Sequence, residues 1–150
     1  MLTQFETDAQ RHELNYELQA RNHEALRQYN EKKSRTNTEI NGLRADYHAE
    51  KRLIEQSLDN LIKERLDLKR RGLECFAPEM ADNYCKEREL HRDLQEAKEN
   101  FHSRLNAIYA RKEAERMAYE ELCMLNRKWY AEQLRQMLTE AEAACECVNN

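Results

Sequence analysis

Apolar residues recur along this chain with the spacing of a helix, in two long runs. The first run carries a stripe of Leu14, Leu18, Asn22, Ala25, Tyr29, Lys33, Thr36, Ile40, Leu43, Tyr47, Lys51, Ile54 and Leu58. The second carries Leu90, Leu94, Ala97, Phe101, Leu105, Ile108, Lys112, Glu115, Tyr119, Leu122, Asn126, Tyr130 and Leu134. Each stripe covers 44 residues in twelve steps, about 3.67 residues per step. That is the hendecad value rather than the heptad's 3.5, and it predicts helices that run nearly straight or coil slightly right-handed. Two helices with the same period suit packing side by side along their length.

Between the runs lies RRGLECFAPE at 70–79, which holds one of the two glycines and the only proline. Gly72 follows a basic run and reads as C′, the left-handed residue that ends a helix. Leu73 then falls at C″, where a hydrophobic residue packs back on the last turn. Pro78 suits the first turn of a second helix, where no N–H partner is needed, and Glu79 and Asp82 suit that helix's positive end. The expected fold is therefore all-α, a long antiparallel two-helix hairpin forming a single domain over 1–150. The first arm covers about 4–71, the turn 72–78 and the second arm about 79–146. Thr3 and Glu6 match a capping box at the start of the first arm.

Folding about this turn pairs residues whose numbers total about 151, so that Ile54 meets Ala97, Tyr29 meets Leu122 and Leu14 meets Met137. Thr36 then faces Glu115 and Glu39 lies across from Lys112, polar positions that weaken the pair but fix its register. Residues 34–42 combine β-branched side chains, two asparagines and a glycine, all poor helix formers. A break near 34–38, giving three helices, is the rival expectation. The stripe keeps its phase across the stretch, which favours one continuous helix.

Composition narrows the class. Charged residues make up 36% of the chain, so a thick globular core is not expected. Disordered chains of this kind are rich in glycine and proline, and this one has two and one. The net charge of −4 offers no field for gripping nucleic acid or anionic lipid. No apolar run approaches the roughly 20 residues of a membrane span, and the start MLTQFETDAQ lacks the regions of a signal peptide. Five cysteines without regular spacing fit reduced thiols in a cytoplasmic setting or inside an intracellular assembly.

The chemistry offered is sparse. There is no Gly-rich phosphate loop, HExxH, CxxC pair or nucleophile elbow, so neither catalysis nor a cofactor is expected. Cys145 and Cys147 supply two soft ligands where zinc normally takes four, and free thiols are the default. His48 and His102 could face each other beside the seam, but with no third ligand they read as ordinary partly exposed histidines.

Two surfaces remain. Lys63, Arg65, Lys69, Arg70 and Arg71 form a basic tip, read first as dipole compensation and solvated charge. Residues 117–138 carry more apolar area than one facing helix can cover. There Leu122, Met124, Leu125, Trp129, Tyr130, Leu134, Met137 and Leu138 are the expected partner interface. The expected role is a non-enzymatic coiled-coil scaffold that spans or braces subunits of a larger protein assembly. Its partners would be other subunits or a second copy, with no membrane and no nucleic acid. A chaperone or export adaptor is the alternative; in shape and size the chain resembles prefoldin subunits and the stalk proteins of type III export ATPases, a likeness that no motif carries. A nucleic-acid-associated coiled coil using the basic tip is a further alternative, which the overall acidity argues against.

Overall fold

The computed structural model describes residues 4–74 and 77–149. They form two helices that pack against each other, α1 over Gln4–Arg70 and α2 over Pro78–Asn149, with no strand among the described residues. The fold is an all-α helical hairpin. Thr3 of the expected capping box and Cys75 of the turn lie outside the described residues. No described helix is long and apolar enough to cross a membrane.

α1 runs unbroken through 34–42, so the three-helix alternative is set aside. The polar and β-branched residues there cost only tenths of a kcal/mol each, and Gly42 about 0.8–1 kcal/mol. Against that, Thr36 and Ile40 both stay buried, at 2% and 5% exposure, so the stripe keeps its face inward.

The turn forms as its residues dictate. Gly72 adopts φ 81°, in the left-handed region. Its N–H donates to the Lys69 carbonyl at 3.0 Å, and the Leu73 N–H donates to the Leu68 carbonyl at 3.2 Å. These are the two bonds of a Schellman ending, with half-buried Leu73 and buried Leu68 as its apolar pair. The Ala77 N–H then bonds the Glu74 carbonyl at 3.0 Å, and α2 opens on Pro78.

The two glycines should therefore respond to alanine with opposite signs. Gly42 is an exposed mid-helix residue with nothing within 4 Å of an added Cβ. Gly42→Ala should stabilise by about 0.5–1 kcal/mol. Gly72→Ala forces a Cβ into the left-handed region and should destabilise by about 1 kcal/mol. Urea unfolding of the two variants should move the midpoint in opposite directions; a shared direction would contradict this reading of the turn.

The contacts gather into two units, 1–35 with 111–150, and 36–110. In the second unit Ile40, Leu61, Leu68, Met80, Ala97 and Ile108 are buried, and Tyr47 stacks on Phe101 with centroids 4.4 Å apart. Arg44 donates to the Tyr109 hydroxyl at 3.1 Å. In the first unit Ala25 and Met137 are buried, Tyr29 stacks on Tyr119 at 4.7 Å, and Asn126 donates to Asn22 at 3.1 Å. Every residue of the two stripes is buried or half-buried except Lys33 and Leu122. Half-buried Cys123 takes the inward place beside Leu122.

The register differs from the expected one. Tyr29 with Tyr119, Tyr47 with Phe101 and Asn22 with Asn126 each total 148, not 151. α1 ends at 70 and α2 begins at 78, which total 148 as well. A stripe with a period near 3.67 maps onto itself after a slip of three to four residues, so apolar matching cannot separate the two registers. Loop length, ring stacking and the paired amides separate them.

Candidate protein-interaction surfaces

Next to the turn, a cluster of polar groups sits inside the seam. The Asn83 side chain is 1% exposed and donates to the Leu61 carbonyl at 2.9 Å. Its oxygen accepts from the Arg65 Nε at 3.1 Å. The far side of the same guanidinium bonds the Glu87 carboxylate, and its face lies 4.2 Å over the Tyr84 ring. Arg65 thus clamps α1 to α2, with its side chain only 17% exposed. Asn83 and Glu87 were legible as seam positions, because Met80, Asn83, Glu87 and Leu90 continue the stripe backwards at spacings of three and four. That Arg65 would reach them was not.

The clamp changes the basic tip. Arg65 is turned inward, and Arg71 is held by Asp67 at 3.0 Å. Lys63, Lys69 and Arg70 remain exposed, and among the described residues they form no salt bridge. Four cations of the tip therefore face outward rather than five, and one of them, Arg71, is paired with Asp67.

The eight residues expected at the partner interface are not one patch. Met137 is buried, and Tyr130 and Leu134 are half-buried. Trp129 is half-buried beneath the Arg21 guanidinium, 3.8 Å from its ring. Leu122, Met124, Leu125 and Leu138 are exposed, as is Met117. At about 100° per residue, Leu122, Leu125 and Trp129 share one flank of α2 within about 60°. By the same geometry Met117, Met124 and Leu138 share another, centred about 140° from the first.

A shallow groove runs beside the Leu122 flank. One stretch, of about 370 Å³, has Ala20, Ala25 and Leu122 as floor, with Glu17, Arg21 and Glu24 at the edge. The next stretch, of about 260 Å³, has Leu14 and Met137 with Glu13, Glu17 and Glu140. Arg21 bonds Glu17 at 3.2 Å, and Arg27 bonds Glu24 at 2.6 Å. Hydrogen bonds from Arg27, and then Gln28, hold the Glu24 carboxyl at about 2, so its charge persists at any ordinary pH. Nothing in the spacing of these acids had marked them as a group.

The remaining candidates are plain. Cys85, Cys123, Cys145 and Cys147 are free, and a hydrogen bond with Cys123 pushes the Tyr119 phenol pKa up. His48 and His102 are exposed and lean on the neighbouring rings of Tyr47 and Phe101. Among the described residues, no group of three or more His, Cys, Asp or Glu side chains is placed to hold a metal. No protein-family model, no curated protein and no solved structure matches the chain.

Proposed function

We propose that this hairpin is a non-enzymatic structural component that joins other protein subunits within a larger assembly. The observation that carries the reading is the exposed apolar flanks of 117–138, on a helix whose seam is already filled by the other arm. Leu125 is 53% exposed, with Leu122 on its flank, and Met124 is 56% exposed, with Met117 and Leu138 on the other. Free, exposed cysteines support work in a reducing compartment such as the cytoplasm.

Each exposed leucine or methionine is worth about 1.5–3 kcal/mol when a partner covers it. Leu125→Asp and Met124→Asp should therefore cost about tenfold or more in partner affinity, read by co-purification at fixed stoichiometry. Both side chains point away from the seam, so circular dichroism should show helicity close to wild type. Retained partners with lost helicity would instead make these residues intrachain core and sink the proposal.

A further inference from the structure

We infer that the groove beside Leu122 receives the turn end of a second copy of this chain, so that hairpins join head to tail; the inference rests on the assembly role proposed above. The groove sets the terms for its occupant. In the stretch at Leu122 its floor is apolar, with Ala20 and Ala25 small enough to admit close approach, and the stretch at Leu14 and Met137 is mainly polar. Its charged lining is Glu13, Glu17, Glu24 and Glu140 with Arg21, and Glu24 is paired from outside the groove by Arg27. Arg21 is already bonded to Glu17 and stacked on Trp129. Among the described residues Glu13 and Glu140 form no salt bridge. Two such grooves placed face to face would set acid against acid, which disfavours a symmetric pair.

An occupant must therefore present apolar side chains rimmed by cations, and this chain carries such a surface. Ile62 and Leu66, 47% and 51% exposed, lie one turn apart on the same face of α1. Lys63, Lys69 and Arg70 surround them, exposed and without a salt bridge among the described residues. Asp59 and Glu55, the acids on that face, lie farther from the turn, and Asp67, one turn from Lys63 and Arg70, is paired with Arg71 at 3.0 Å. Groove and tip are different surfaces, so the joint is heterologous, and a joined pair keeps one free tip on one copy and one free groove on the other.

The test reverses each surface in the full chain. Glu13→Lys with Glu140→Lys makes the groove basic, and Lys63→Glu with Arg70→Glu makes the tip acidic. Exposed changes of this kind move stability by only about 0.5 kcal/mol, and circular dichroism checks the fold. In sedimentation velocity at low salt, wild type should associate with concentration and dissociate as salt rises. Each variant alone should associate about tenfold more weakly, because like charges then meet. An equimolar mixture should recover the wild-type association, since each reversed surface meets an opposite one. Leu66→Glu should weaken association independently of the charge pairs. A wild type that stays monomeric across the concentration series overturns the inference, as does association indifferent to both reversals, or a mixture of helical variants that fails to recover. If the monomeric wild type still loses other subunits on Leu125→Asp, the head-to-tail joint fails while the assembly role stands.

Discussion

Met80→Ala should lower the unfolding free energy by about 2–5 kcal/mol, the cost of truncating a fully buried methionine. Met80 is 0% exposed and sits in the first turn of α2. With Asn83 it is the only large side chain so completely enclosed among the described residues. A two-helix seam has no second layer that could collapse into the space, so the upper half of that range is expected. Against a total near 5–15 kcal/mol for ordinary domains, this is a large share. Met80→Leu keeps the volume and should cost less than about 1.5 kcal/mol. Urea unfolding followed by helicity gives both values. Equal losses for alanine and leucine would mean that shape, rather than the lost methylenes, dominates at this position.

Arg65→Ala should cost about 2–3 kcal/mol, because it strands two partners at once. The Asn83 oxygen, in a side chain 1% exposed, loses its donor. The Glu87 carboxylate, whose side chain is 27% exposed, loses its cation. Arg71→Ala is the contrast. It removes a pair with Asp67 whose side chains are 68% and 58% exposed. Such surface pairs are worth about 0–1 kcal/mol. A double-mutant cycle on Arg65 and Glu87 should show coupling of about 1 kcal/mol or more, and one on Arg71 and Asp67 should show a few tenths. Equal couplings would remove the distinction between the clamp and the surface pair. The same measurement bears on register, since the clamp and the loop act at the same end of the hairpin.

What the residues determined unaided lies close to the backbone. A period near 3.67, capping chemistry at Gly72 and Leu73, and a proline that can only open a helix are all local, so both arms and the turn follow from neighbours along the chain. The continuity of α1 through 34–42 was legible for the same reason, in the unbroken phase of its stripe. Register was not. A stripe that repeats every turn matches its partner equally well one turn away, and the choice falls to Tyr29 on Tyr119, Tyr47 on Phe101 and Asn22 with Asn126. Nor could sequence say which cations of the tip face outward, because Arg65 is removed by three groups 18 to 22 residues away. The richly apolar stretch 117–138 shows the same division. Its composition announced a surplus of apolar area, but only the position of α1 decides which side chains the seam consumes. That leaves Leu125 beside an acidic groove and Met124 on another flank, because burial depends on what lies across from a side chain, not on its neighbours along the helix.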